Sequence, residues 1–527
     1  MQQEQSAIET VVLWLNDVIW NPSFIWLCLG VGLFFSIMTR FAQVRHFVEM
    51  CRLLFRSDDS TEHGISSFQA LSVSLSGRVG IGNIAGVAAA IGFGGPGAVF
   101  WMWVVAFLGA STAYVESTLG QIYKVHDKEA GMYLGGPAYY FERCLGWRWY
   151  GILFAVAATF ACGLFLIGPQ ANGVASAMVQ IFGEGQAITT GIAGEVGSHR
   201  LIATACVLVL LSFIIFGGIR RIASFAQVIV PFMALAYIVL AMIIVFININ
   251  RVPELLALIV SDAFNPAAGF GAAIGMGVKR GIYSNEAGQG TGAHAAAAAA
   301  VEHPVQQGLV QAFSVYIDTL FVCTATALII LMTKQYNIVA DQHFAGDATQ
   351  YIATYLKDAS GAVINADPGT TAFTQYAMAS VFGKSGPVLV ALATFFFAFT
   401  TILAYYYIAE TNILYLARKF GWQRDVTLIV KLSAMLAVTY GAVGSAGYIW
   451  KLGDIGVGLN AWLNIIGLLI IFFRAGRPTI RALRDYERQQ KEKAAVYTFD
   501  PQALGIKHAT FWEEHIRAEA EKTKAKP

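Results

Sequence analysis

Two stretches of this chain, 202 residues apart, carry the same polar pattern within apolar sequence. Asn83 begins the string Asn-Ile-Ala-Gly, and Asn285 begins Asn-Glu-Ala-Gly. At the same offset, Glu116 in Tyr-Val-Glu returns as Asp318 in Tyr-Ile-Asp. A duplicated unit with polar and Gly-rich interruptions at matching places is typical of a secondary transporter and indicates its binding region. Two helices in each half are therefore predicted to correspond.

The composition is that of a polytopic membrane protein. Hydrophobic residues make up 56% of 527 positions and charged residues 13%, and apolar runs reach roughly 20 residues, the length that a helix needs to cross hydrocarbon. Because no backbone polar group can stay unpaired in lipid, these runs are predicted to be helices, and the fold class is all-α. A net charge of +2, with no basic patch outside the loops and the tail, excludes nucleic acid as a partner. The scattered cysteines predict neither a disulfide nor a metal site.

About eleven transmembrane helices are predicted, one N-terminal helix followed by two halves of five helices each. The N-terminal helix and its connection occupy residues 1–66, the first half 67–250, the second half 251–474 and a charged tail 475–527. The predicted spans are 24–38, 67–92, 96–122, 149–182, 202–219, 224–248, 266–300, 307–333, 385–412, 427–447 and 451–473. Five helices separate the repeat partners, so the second half enters from the opposite side and the repeat is inverted.

The distribution of lysine and arginine predicts the orientation. The connections that contain Arg40, Lys124, Arg220 and Arg418 are rich in these residues, and the opposite side is poor in them. By the positive-inside rule the rich side is cytoplasmic, with the N-terminus outside the cell membrane and the C-terminus inside. The external connection 334–384 is expected to hold a short amphipathic lid near residues 371–382, although a solvated loop explains it equally well. The tail is expected along the cytoplasmic leaflet, without chemistry.

The binding chemistry is predicted at glycine-rich breaks. Gly77, Gly80 and Gly82 lie close together inside an apolar span, and each glycine weakens a helix by roughly 1 kcal/mol relative to alanine. Unwinding frees amides and carbonyls, which is tolerable at membrane depth only around a cavity. A half-helix that begins near Ile81 would point its positive dipole end at a carboxylate, and freed carbonyls can hold a cation. Close helix packing is the alternative reason for these glycines.

The second half carries matching glycines at residues 275–281 and 288–292, where a second break is predicted. A cytoplasmic turn between two shorter helices explains them equally well. Six charged residues fall inside predicted spans, namely Arg78, Glu116, Lys279, Arg280, Glu286 and Asp318. A central charge costs about 2.5–3.5 kcal/mol on insertion scales, so these residues are expected to form charge pairs or to take part in coupling.

Four segments resemble the alanine or glycine:cation symporters, also called the sodium:alanine symporter family. They are residues 75–96, 277–288, 303–311 and 317–326, and the similarity spans nearly the whole chain before the tail. The resemblance implies a LeuT-type fold of two inverted five-helix repeats, here preceded by one additional helix. It also implies uptake of a small neutral amino acid such as alanine or glycine by alternating access, with sodium as the coupling ion and no other cofactor.

Carried over residue by residue, the resemblance implies two adjoining sites. The residues implied to contact substrate are Ile81 and Gly82 through their amides, with Gln170 and Tyr405. The residues implied to hold the cation are Ser76 and Val79 through their carbonyls, with the hydroxyls of Thr400 and Thr401. Taken alone, a buried glutamine can equally bridge two helices, and adjacent threonines more often hydrogen-bond their own helix.

Arg78 lies between the two implied carbonyl ligands and stays protonated at any physiological pH. A positive charge within about 5 Å of a sodium ion would repel it by several kcal/mol. In one hypothesis Arg78 replaces the ion or reaches the substrate, which leaves a sodium-independent or proton-coupled carrier, or an exchanger, with altered specificity. In the other it pairs with Glu116 or Asp318 and leaves the sodium site intact.

Two other functional classes are weighed against a carrier. A membrane-embedded enzyme would use Glu302, His303 and a second acid, but the sequence holds no nucleophile–base pair or metal-ligand cluster, so an enzyme is not expected. A sensor or scaffold that binds an amino acid without moving it would suit the charged tail.

Overall fold

The computed structural model describes residues 7–54, 64–127, 131–190, 194–265, 270–339, 351–422 and 425–524. Within these ranges the chain is mostly helical, and its short strands form two-stranded antiparallel hairpins. The all-α prediction is therefore confirmed. Residues 340–350 of the long external connection lie outside the described residues.

The elements follow one another along the chain with short connections. The helices up to residue 247 are α1 (Ala7–Ile19), α2 (Pro22–Met38), α3 (Ala42–Arg45), α4 (Phe47–Leu54), α5 (Ser67–Arg78), α6 (Ala85–Gly94), α7 (Gly97–Ile122), α8 (Pro137–Leu145), α9 (Arg148–Phe160), α10 (Ile167–Phe182), α11 (Ser198–Ile215) and α12 (Gly218–Ile247). The later helices are α13 (Val252–Ala263), α14 (Phe270–Asn285), α15 (Gly292–Ala298), α16 (Pro304–Val315), α17 (Thr324–Thr333), α18 (Ala372–Phe382), α19 (Ser385–Phe420), α20 (Val426–Val443), α21 (Ala446–Arg474), α22 (Pro478–Lys491) and α23 (Thr510–Lys524). The hairpins pair β1 (Val125–Asp127) with β2 (Met132–Leu134), β3 (Ala187–Thr190) with β4 (Gly194–Gly197), and β5 (Asn337–Val339) with β6 (Tyr351–Thr354).

Eight helical runs among the described residues are long and apolar enough to cross a membrane. They are Gly97–Ile122, Arg148–Phe182, Ser198–Ile215, Gly218–Ile247, Pro304–Thr333, Ser385–Phe420, Val426–Val443 and Ala446–Arg474. Two of them contain a π-helical turn, at Ala161–Phe165 and at Tyr316–Cys323. The predicted spans 67–92 and 266–300 are each interrupted by a break, so the number of eleven crossings stays a prediction.

Helix α1 was not predicted, because its mixed sequence lacks a long apolar run. It meets α2 at a bend of 41°, where the Asn21 side chain accepts a hydrogen bond from the Phe24 amide and Pro22 begins the new helix. Its end packs on α21, since the Trp20 Nε1 donates to the Asp454 carbonyl at 2.8 Å. The chain therefore begins beside the first turns of α21.

The two breaks differ from the prediction in one respect. Helix α5 ends at Arg78, a 3₁₀ turn covers Ile81–Asn83, and α6 begins at Ala85, as predicted. The second break lies between α14 and α15, within residues 286–291, and the predicted break at residues 275–281 is wrong because α14 is continuous there. Its glycines serve packing on α7, since a Cβ on Gly277 would lie 2.4 Å from the Ala98 carbonyl oxygen.

The basic connections meet at one end of the molecule. Arg418 lies 2.8 Å from Asp127, and Arg45 lies 2.7 Å from Glu487 in the tail helix α22. The tail is docked there, with Trp512 of α23 only 2% exposed. Helix α1 and the helix α18 of the external connection lie at the opposite end, where Trp450 donates to Gly369. The two termini are thus at opposite ends, while the membrane side of each stays a prediction.

Candidate functional site

The first break brings two of the predicted substrate residues into direct contact. The Ile81 amide donates to the Gln170 Oε1 of α10 at 2.9 Å. The Gly80 amide donates to the Asn83 Oδ1 at 2.8 Å. A Cβ on Gly80 would lie 2.4 Å from the Thr401 Oγ1 and 2.8 Å from the Gln170 Oε1, so glycine is what lets α10 and α19 reach the break. The amide predicted to receive a carboxylate therefore already faces an exchangeable side-chain acceptor.

Three of the four predicted cation ligands converge beside this break. The Thr401 Oγ1 lies 2.7 Å from the Ser76 carbonyl oxygen and 3.4 Å from that of Val79. It also lies 2.9 Å from the Phe397 carbonyl oxygen. A hydroxyl has one proton and donates to one acceptor at a time, so this cluster has more oxygen acceptors than donors, as a site for a hard cation requires.

Thr400, the fourth predicted ligand, bonds its own helix, with its Oγ1 3.1 Å from the Phe397 carbonyl oxygen. The carbonyl of Phe397 was missed by sequence reasoning. A backbone carbonyl has no side-chain signal, and the spacing of four residues between Phe397 and Thr401 is the one clue that the sequence contains.

The second break places a carboxylate between the two halves. Glu286 adopts a left-handed conformation with φ of 57°, and its Oε2 accepts from the Thr291 hydroxyl at 2.9 Å. The Tyr405 hydroxyl of α19 approaches the same carboxylate. The other oxygen, Oε1, has no hydrogen-bond partner among the described residues. Since a Cβ on Gly77 would lie 3.2 Å from the Glu286 Oε2, this carboxylate also faces the first break.

The repeat-related acids brace the breaks crosswise. Asp318, from the second half, accepts from the Asn83 side chain of the first break at 2.6 Å. Glu116, from the first half, accepts from the Gly290 amide of the second break at 3.1 Å and from the Asn464 side chain at 2.9 Å. Each break is therefore held by an acid of the other half, and the repeat visible in the sequence becomes a reciprocal contact.

Arg78 is 1% exposed, and its side chain is directed toward α15 and α16. Its Nη1 donates to the Gln311 carbonyl at 3.1 Å, and a Cβ on Gly292 would lie 2.6 Å from its Nη2. Its Nε and Nη2 have no hydrogen-bond partner within the described part of the chain, so the hypothesis of direct pairing with an acid is wrong. The acids that act on its charge through space are Glu286, Glu116 and Asp318.

Lys279 and Arg280 lie away from the breaks, near the end where α1 packs. Arg280 forms a bidentate pair with Asp454 at 2.9 and 3.0 Å, and the Lys279 Nζ lies 2.7 Å from the same carboxylate. The guanidinium of Arg280 also lies 4.7 Å from the Trp450 ring centroid. Both basic residues therefore tie α14 to α21.

Comparison with known proteins identifies relatives over nearly the whole chain. The model of the sodium:alanine symporter family matches residues 5–500. YrbD of Bacillus subtilis (strain 168), provisionally named a sodium/proton-dependent alanine carrier protein, is 52% identical over 96% of this chain and 98% of its own length. The sodium/proton-dependent alanine carrier protein of Bacillus sp. (strain PS3) is 43% identical over 88% of this chain and 98% of its own length.

A more distant relative and a solved structure are also similar. The sodium/alanine symporter AgcS of Methanococcus maripaludis is 36% identical over 88% of this chain and 94% of its own length. The crystal structure of MhsT in complex with L-phenylalanine aligns with 80% of this chain and 100% of its own, with 13% identity and a TM-score of 0.45.

Proposed function

Because this chain belongs to the sodium:alanine symporter family, we propose that it carries a small neutral amino acid, alanine or glycine, into the cell together with sodium. The chain is a multi-pass membrane transporter and not an enzyme. Uptake proceeds by alternating access around the two breaks, where polar backbone lines a central site.

The observation that carries this proposal is the convergence of three carbonyl oxygens on Thr401. The carbonyls of Ser76 and Val79 belong to the first break, whereas Phe397 and Thr401 belong to α19. An ion held here joins α5 to α19 and fixes the break in the geometry that presents its amides. This arrangement supports coupling, because the ion and the substrate then depend on the same unwound segment.

The substrate is placed beside the ion. Its carboxylate takes the amides of Ile81 and Gly82 in exchange for the Gln170 Oε1, while the Gln170 amide group donates to it. Its ammonium group is taken by the unpartnered Oε1 of Glu286. Tyr405 borders the space left for the side chain, so a small substrate is favoured.

Proton coupling is a second candidate, favoured by the buried acids around Arg78. The direction of Arg78 toward Gln311 speaks against its replacing the sodium ion, because its guanidinium is turned from Thr401. Uptake driven separately by a sodium gradient and by a proton gradient distinguishes the two couplings.

Uptake of labelled alanine into proteoliposomes tests the sodium site. In Thr401→Val we expect the sodium concentration for half-maximal uptake to rise about tenfold, as for a loss of ~1.4 kcal/mol of ion binding. Thr394→Val is the matched control, since Thr394 lies on the same helix, is buried, and its hydroxyl has no partner among the described residues. Equal sodium dependence in both variants would refute the site. Counterflow, which a sensor or scaffold cannot perform, tests transport itself.

A further inference from the structure

Two separate cavities meet at one side chain of α19. The first, here called the inner cavity, is bordered by Gly77 of α5, Glu286 and Gly292 of the second break, and Ala404 of α19. The second, here called the vestibule, has a volume of about 1110 Å³ and lies between β2, the connection of α11 to α12 and the last turns of α19. Tyr407 lines both cavities. Its ring therefore separates the space between the breaks from the end of the molecule that carries the tail.

Tyr407 is held in place by a single polar contact across helices. It is 2% exposed, and its hydroxyl donates to the His294 carbonyl of α15 at 3.3 Å. The His294 ring in turn lies 2.9 Å from the Asn412 side chain and 3.1 Å from the Thr291 carbonyl oxygen. The phenol thus joins α19 to the half-helix that follows the second break. One long hydrogen bond between neutral groups is weak enough to break in each transport cycle.

The surroundings of Tyr407 suit passage of a small zwitterion. Small residues line much of the inner cavity, namely Gly77, Gly292, Ala295 and Ala404, so the aromatic ring is its bulkiest wall. The vestibule is lined by charges of both signs, namely Arg220, Glu410, Asp425 and Lys431. Such a lining can receive both the carboxylate and the ammonium group of an amino acid.

We propose that Tyr407 is the gate on the exit side of the transport path. With its hydroxyl on the His294 carbonyl, it closes the inner cavity against the vestibule. When α15 moves or the ring rotates, the substrate leaves between α5, α15 and α19. This inference rests on the proposed function, because it assigns the cavity to the path of the amino acid.

Cysteine labelling tests the gate without requiring a substrate. Ala404→Cys places a thiol in the inner cavity, in full-length protein whose natural cysteines are replaced, and a charged methanethiosulfonate is added to sealed vesicles from the vestibule side. We expect Tyr407→Ala to speed labelling at least tenfold. Tyr407→Phe keeps the ring but loses the bond to His294, and a several-fold increase is expected, in line with one neutral hydrogen bond.

Tyr406→Phe is the matched control. Its hydroxyl donates to Glu410 at 2.8 Å and the residue lines neither cavity, so labelling should stay at the parental rate. Equal rates in Tyr407→Ala and the parent, no labelling in either, or labelling from the opposite side alone would each overturn the gate. Sodium-driven alanine uptake is measured in the parent in parallel. Its absence despite gated labelling would refute the proposed function and leave the gate standing.

Discussion

At the scale of single residues, Gln170 controls the amide that the substrate needs. Its Oε1 accepts from the Ile81 amide at 2.9 Å, and both residues are buried. A buried amide without an acceptor costs about 1–3 kcal/mol, so the side chain keeps the first break satisfied when no substrate is bound. Binding is then an exchange of acceptors at one donor.

Gln170→Leu should raise the KM for alanine about tenfold, because it removes the polar group that faces the carboxylate. Asn172→Ala is the control on the same helix. The Asn172 side chain donates to the carbonyls of Gly441 and Gly444, so its loss should lower the melting temperature and leave the KM unchanged. A folded Gln170→Leu variant with the parental KM would contradict the placement of the substrate.

Arg78→Thr should leave the sodium dependence of uptake steep and lower the stability of the protein. The guanidinium lies toward Gln311 and balances nearby buried acids, and loss of a buried counter-charge costs about 3–5 kcal/mol. Arg78→Lys keeps the charge and should recover part of the melting temperature. Sodium-independent uptake in the parent, made sodium-dependent by Arg78→Thr, would instead show that Arg78 replaces the ion.

At the scale of elements, α14 shows two uses of glycine on one helix. A Cβ on Gly277 would lie 2.4 Å from the backbone carbonyl of Ala98 in α7, whereas a Cβ on Gly275 meets nothing within 4 Å. The first glycine allows two helices to approach closely, and the second has no such contact.

Gly277→Ala is expected to destabilise the protein by about 1–3 kcal/mol through overpacking. Gly275→Ala is the matched control and should stabilise it by about 0.4–1 kcal/mol, because alanine reduces the entropy of the unfolded chain. Thermal unfolding of the two variants in detergent measures both effects. A lower melting temperature for Gly275→Ala than for Gly277→Ala would contradict the packing of α14 on α7.

At the scale of the whole molecule, the basic connections and the tail gather at one end, and α1 lies at the other. The tail is tied to the connections by contacts such as Tyr486 with Glu49, at 2.9 Å, and Trp512 with the Gln121 carbonyl, at 2.9 Å. Burial lowers the pKa of Lys124 well below its ordinary value, and its Nζ lies 5.1 Å from the Trp512 ring centroid. The tail is thus part of the folded molecule.

The positive-inside rule then predicts that the tail end faces the cytoplasm. Reporter fusions should therefore place the N-terminus outside the cell and the C-terminus inside. A C-terminal fusion that is active only outside the cell would reverse the orientation, and with it the assignment of the vestibule to the exit side.

Local properties of the chain could be read from the sequence alone. The all-α class follows from apolar runs that must satisfy their own backbone in lipid, and the first break follows from glycines that weaken a helix where they stand. The repeat of Asn83 with Asn285 and of Glu116 with Asp318 is likewise a property of the linear chain. Helix α1 and the continuity of α14 escaped prediction, because both depend on packing against distant helices.

Only the tertiary structure decided which groups meet. Arg78 turns to Gln311, 233 residues away, and Thr401 meets the Ser76 carbonyl, 325 residues away. Charge and hydrogen bonding depend on distances in space, and composition or periodicity does not contain those distances. The sequence by itself determined where the chain unwinds and which residues can bind. The packing of α5 and α10 against α19 decided that these residues form one site.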